Sequence, residues 1–146
     1  MPVTAKWYGK TFMAAFNEEI DFEVDTIKVS LHTNAYTPSQ LHDYQDDLTN
    51  ELGAGSGYST GGATLGAPDM AYDSGTGIFN LDGADVSWAG ATFTCKYAVV
   101  YDAQSGVAAT NPLICYIDFG GDVAVSGLTF RIEWAAGGIA KITVTT

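Results

Sequence analysis

Positive charge is scarce in this chain. Of its 146 residues only six are Lys or Arg (Lys6, Lys10, Lys28, Lys96, Arg131 and Lys141), against 17 carboxylates, for a net charge of -11. No basic residue lies between Val29 and Cys95, a stretch that holds eight acidic ones. Phosphate binding draws its free energy from counterions displaced by Lys and Arg, so neither nucleic acid nor an anionic membrane is an expected partner. Cysteine is scarce too. Cys95 and Cys115 are too few for a disulfide framework, and a metal centre would need more ligands near them. Both read as free, buried thiols that fill core space. No apolar run approaches the length of a membrane span. The start, from Met1 to Lys6, lacks a basic region followed by an apolar core, so no signal peptide is expected, and the protein is expected to be made and to stay soluble in a cytoplasm.

Residues fit for catalysis are also few. His32 and His42 are the only histidines, and a zinc site would need two further ligands in tetrahedral geometry. Asp43, Asp46, Asp47 and Glu51 offer oxygens to a hard cation but lack the spacing and turn glycine of the known calcium loop. The chain has no Gly-x-Ser-x-Gly elbow, and Gly53 to Gly57 lacks the Lys and following helix of a phosphate loop. Carboxylate pairs can be drawn at will from 17 acidic residues, so they carry no signal for a glycosidase. The expectation is a protein that is not an enzyme, with no catalytic residue, cofactor or metal. Its tryptophans and tyrosines read as core rather than as a sugar-stacking platform.

What the chain has in quantity is strand-forming sequence. Phe93 to Tyr101 and Leu113 to Phe119 place Val, Ile, Tyr, Phe and Cys at both alternating sets of positions, which predicts central strands covered on both faces by a second sheet or another subunit. As a hairpin joined near Asp102 to Pro112, they would put Cys95 opposite about Phe119. Asp25 to His32 alternates as a half-buried strand, with Ile27, Val29 and Leu31 inward and Lys28 and Ser30 outward. Short strands at Asp69 to Tyr72 and Ile78 to Leu81 flank the turn Asp73 to Gly77. A last hairpin is expected to pair Phe130 with Val144, Ile132 with Ile142 and Trp134 with Ala140, with Glu133 beside Lys141. Phe12, Met13 and Phe16 at helical spacing predict a short amphipathic helix. The fold expected is mainly β: one β-sandwich or jelly-roll-like domain over 1–146, of about eight to ten short strands. It has an N-terminal segment over 1–24 with the short helix, and a long loop region over 33–65 of the kind often ordered by a partner. Two-sided apolar strands also predict a homo-oligomer, taken as a trimer.

Several pieces together resemble a group of tailed-bacteriophage structural proteins that includes head decoration (cement) proteins. They are Val24 to Leu31, Tyr36 to Pro38, His42 to Tyr44, Leu48 to Glu51, Gly55 to Tyr58, Gly61 to Leu65, Tyr97 to Tyr101, Pro112-Leu113 and Tyr116 to Gly120, spread from about Gly9 to Val144. The resemblance implies a virion structural part assembled in the host cytoplasm, more than it implies a place on head or tail; the first expectation is a decoration protein that stabilises the capsid by bridging major capsid protein subunits. A neck, tail or baseplate component and a carbohydrate-binding host-attachment module are the alternatives. The N-terminal segment is the candidate capsid contact, through Lys6, Trp7, Tyr8, Lys10, Phe12 and Phe16. Deleting Met1 to Lys10 is then expected to spare the β domain, whose strands begin near Thr26, while weakening attachment.

Overall fold

The computed structural model describes residues 2–145. Among the described residues, eight strands form two antiparallel sheets in a sandwich-like arrangement. In chain order they are β1 (Thr4–Trp7), β2 (Ile27–His32), β3 (Ala63–Thr64), β4 (Asp69–Asp73), β5 (Ile78–Asp82), β6 (Val86–Asp102), β7 (Leu113–Ile132) and β8 (Ala140–Thr143), and one helix, α1 (Thr11–Phe16), follows β1. The larger sheet runs β1-β7-β6-β2-β3 and the smaller β4-β5-β8.

The two apolar runs are parts of β6 and β7, which at 17 and 20 residues are far longer than the short strands expected. They pair throughout as one bent hairpin. Tyr97 lies opposite Asp118 and Cys95 opposite Val123, so Phe119 to Asp122 bulge out against Lys96 alone. Gly120 takes a φ of 81° there, a conformation costly for any other residue. That bulge moves Cys95 four positions away from the Phe119 pairing expected. Cys115 lies opposite Val100, and both thiols are free and fully buried.

Both faces of its inner part, Cys95 to Asp102 with Leu113 to Ile117, are covered, and by the chain itself. Ile27, Val29, Leu31, Ala98, Val100 and Cys115 join one cluster with Leu81 and Ile139 from the smaller sheet and its approach. Tyr97, Val99, Tyr101 and Leu113 join a second cluster with Tyr8 and Tyr36. Two-sided burial therefore needs no neighbouring subunit, and it ceases to be an argument for an oligomer. The long loop is likewise tied down from within. The Leu52 amide donates to the Leu31 carbonyl, Tyr44 bridges to Pro112, and the loop carries Leu52, Tyr58 and Leu65 into the first core cluster. It also buries Ser30 and His32, so β2 is enclosed on both sides rather than half-buried.

The hairpin Asp69–Asp73 with Ile78–Asp82 forms as expected, closed by Gly77 at φ 71°. The expected C-terminal hairpin does not form. Phe130 pairs with Trp88 and Ile132 with Val86, whereas β8 pairs with β5, placing Ile142 against Phe79. A partner of matching alternation is present in both places, and the long hairpin claims Phe130 and Ile132 first because β6 continues in register beside them.

Candidate functional site

The N-terminal segment is built into the sheet. β1 adds to the edge of β7, with Thr4 opposite Asp118 and Trp7 opposite Cys115, and the Tyr8 amide continues the ladder by donating to the Ile114 carbonyl at 3.1 Å. The Thr11 hydroxyl lies 2.7 Å from the Leu113 carbonyl and 2.8 Å from that of Ile114, which docks the start of α1 on the same strand. The helix consequently buries Thr11 and Ala14. Part of its apolar face turns outward: Met13 is 65% exposed and Phe16 is 88% exposed.

The six residues expected to contact a capsid therefore separate. Lys6 is exposed on β1. Trp7 is half-buried, packs on Phe12 with ring centroids 5.3 Å apart, and donates its indole N–H to the Lys141 carbonyl. Tyr8 is fully buried and cannot touch a partner. Lys10 holds Asp43 at 3.0 Å, which keeps the Asp43 carboxyl below its ordinary value. Of the four aromatics, Phe16 alone stands out in solvent. Met13, its neighbour three residues back on the helix, joins it at the surface beside a dimple of about 150 Å³ lined by Lys10, Asn17, Asp43 and Tyr44 among others. The helical spacing shows that Phe12, Met13 and Phe16 lie together, but which side of so short a helix faces inward is decided by the Thr11 hydroxyl.

Two of the acidic residues weighed for a cation, Glu51 and Asp47, are engaged within the loop. Glu51 accepts from the Tyr58 hydroxyl at 2.7 Å and from the Gly61 amide at 2.6 Å, and Asp47 accepts from the Asp43 amide. His32 is enclosed between Ser30 and the Thr49 carbonyl, and burial pushes its pKa down. His42 meets the Tyr36 hydroxyl at 3.0 Å. Asp85 binds Arg131 and the Trp134 amide.

A second surface feature is not legible in the sequence. Between the β1 edge of the larger sheet and the approach to β8, the sandwich stays open as a groove of about 940 Å³, walled by Trp7, Ile117, Phe119, Phe130, Trp134 and Ile139 and fringed by Arg131 and Lys141. Its walls come from three separate parts of the chain, so no local pattern marks it. Comparison with family models, with curated proteins and with solved structures gave no match.

Proposed function

We propose that this chain is a non-enzymatic structural protein of a tailed-phage particle, a head decoration protein that binds major capsid protein subunits and itself associates as a homotrimer. The observation that carries the reading is the outward face of α1. A fully solvated Phe16 beside Met13 wastes burial free energy, roughly 1.5–3 kcal/mol for each such side chain, unless a partner covers it. The helix is anchored through Thr11 and β1, so this apolar pair is presented rigidly, and little ordering entropy opposes a contact there. The pieces that resemble phage decoration proteins support the same reading. The loops from Tyr36 to Leu65 fit it as well, since they are already ordered by the chain and offer a fixed surface.

Two measurements test the proposal. Quantitative mass spectrometry of purified particles should find this protein in numbers comparable with the major capsid protein. A handful of copies per particle would instead favour a neck, tail or baseplate component. The double variant Met13→Ser with Phe16→Ser should keep its thermal melt yet lose co-sedimentation with particles stripped of the native protein. Unchanged co-sedimentation would remove α1 as the capsid contact.

A further inference from the structure

We propose that copies of this chain associate head to tail, the exposed edge strand β4 of one copy adding to the open edge of β7 in the next, alongside the apolar groove. This deepens the homotrimer part of the reading above by naming the two surfaces that meet.

The first surface is an edge that nothing within the described chain covers. β1 lines β7 only from Cys115 to Asp118, and among the described residues no strand lies along the same side of β7 from Phe119 to Ile132. An open strand edge is a template for another chain, and soluble proteins blunt it with charge or proline. The run from Val123 to Phe130 has neither, and its one irregularity is the bulge at Gly127, which leaves Val123 to Ser126 in regular register with β6. Leu128 there is 68% exposed. Its neighbour is the groove, whose walls Phe119, Val123 and Phe130 belong to this same strand. A small apolar ligand could fill the groove but would leave the backbone edge unpaired. An extended strand satisfies both.

The second surface fits it. β4 is an edge strand of the smaller sheet, and of the four edge strands β1, β3, β4 and β8 it is the one exposed at all five of its residues. The Met70 amide reaches outward to Glu23 at 3.4 Å, so the amides of Met70 and Tyr72 point away from β5. Met70 and Tyr72 share one face of the strand and remain 39% and 56% exposed. Asp69 and Asp73 bracket them, and Lys141 at the groove is the cation that faces them, since Arg131 is already held by Asp85 and Glu133. Antiparallel pairing of β4 with its own copy about Ala71 would set Asp69 against Asp73 twice, which like-charge repulsion opposes. The two edges lie on different strands of different sheets, so the contact is heterologous and closes into a ring where the rotation allows.

The test uses two variants of the full chain, Tyr72→Cys and Ala124→Cys, one carrying a size tag, and a bis-maleimide linker whose reach tolerates a shift in register. The native thiols are buried and stay out of the reaction. Linking is expected in the mixture of the two variants and not in either alone. Linking of Ala124→Cys with itself would mean that β7 pairs with β7, and no linking in the mixture would mean the edges do not meet; each overturns the proposal. In parallel, Tyr72→Pro removes an outward amide while leaving the ladder to β5 intact, and should weaken association by about tenfold or more in sedimentation equilibrium with the melt preserved. Association unchanged by a folded Tyr72→Pro would also overturn it. Everything is done on the isolated protein, so failure here leaves attachment to the capsid untouched.

Discussion

The hydroxyls of Tyr8 and Tyr36 lie 2.7 Å apart, with Tyr8 wholly buried and Tyr36 1% exposed. Through this bond the segment that opens the chain and the long loop after β2 hold each other over the outer face of the β6–β7 hairpin. Burial pushes the Tyr36 hydroxyl up to about 12, so the bond joins two neutral groups at ordinary pH. Tyr36→Phe removes the partner that the Tyr8 hydroxyl has among the described residues, and one partner of His42. The expected cost is about 1–3 kcal/mol, the penalty for a buried group left unpaired. The double variant with Tyr8→Phe should cost less than the sum of the two single changes, because the second removes the orphan left by the first. Urea unfolding of the four proteins measures this.

Removal of Met1 to Lys10 is now expected to collapse the melt, opposite to the outcome expected from sequence. It deletes β1, whose four residues pair with Tyr116 and its neighbours on β7, and it empties the site of a fully buried tyrosine. Losing a large buried aromatic alone costs about 3–5 kcal/mol, a sizeable part of the roughly 5–15 kcal/mol typical of a domain. Circular dichroism of the truncated chain checks it, and a native-like melt would show the segment to be an appendage.

Legibility follows the range of the interactions. The β4–β5 hairpin can be read because its turn residues and both strands lie within a few residues of one another. The core character of β2, β6 and β7 can be read from alternation alone. Choices between distant partners of equal merit cannot. Phe130 and Ile132 suit Ile142 as well as they suit Trp88 and Val86, and only the continuity of β6 decides. β1 escapes notice because Thr4 to Trp7 is too short and too polar to signal a strand, and it forms only because β7 offers an edge. At the candidate site, the aromatic content of the N-terminal segment is visible in the sequence. Its division into a buried Tyr8 and a solvated Phe16 is not, since that depends on contacts far away along the chain, between Thr11 and Leu113.

Gly62→Ala should be strongly destabilising. Gly62 has a φ of 81°, and a Cβ there would overlap the Val29 carbonyl beneath it. The strand that would have to yield is β2, at the position where Val29 pairs with Ala63. A loss of about 2–4 kcal/mol is expected from the combined strain and clash. Gly53→Ala is the control, because no atom lies within 4 Å of the place its methyl group would take, and it should stay within about 0.5 kcal/mol of the parent.

Neither cysteine should respond to a thiol reagent while the protein is folded. Burial pushes the thiols of Cys95 and Cys115 up to about 12, so almost no thiolate forms near neutral pH. Replacing each by Ala should cost about 1–2 kcal/mol from lost packing. Rapid labelling of the native protein, followed by mass spectrometry, would show that the core around β6 and β7 opens.

Asp102 gives the chain a pH dependence of unusual sign. It ends β6 opposite Ile27, only 1% exposed, with Oδ1 accepting the Gln104 amide at 2.8 Å and Oδ2 without a hydrogen-bond partner among the described residues. Burial first, and then the adjoining Asp25 with Asp21 farther off, raise its carboxyl from 3.8 to about 7. The folded protein therefore holds a proton there that the unfolded chain releases near 3.8. The stabilising contribution is complete below that lower value and is lost as the pH rises through about 7. Asp102→Asn mimics the protonated form: its carbonyl still accepts from Gln104, and its amide can donate to Asp25. The variant should melt higher than the parent at about pH 8 and close to it at about pH 4, and the gap between the two curves should open across the interval from 3.8 to about 7. Thermal melts of both proteins at several pH values test this. A variant that tracks its parent throughout would mean that Asp102 is ionised in the folded state, with water or a cation supplying the partner that Oδ2 lacks.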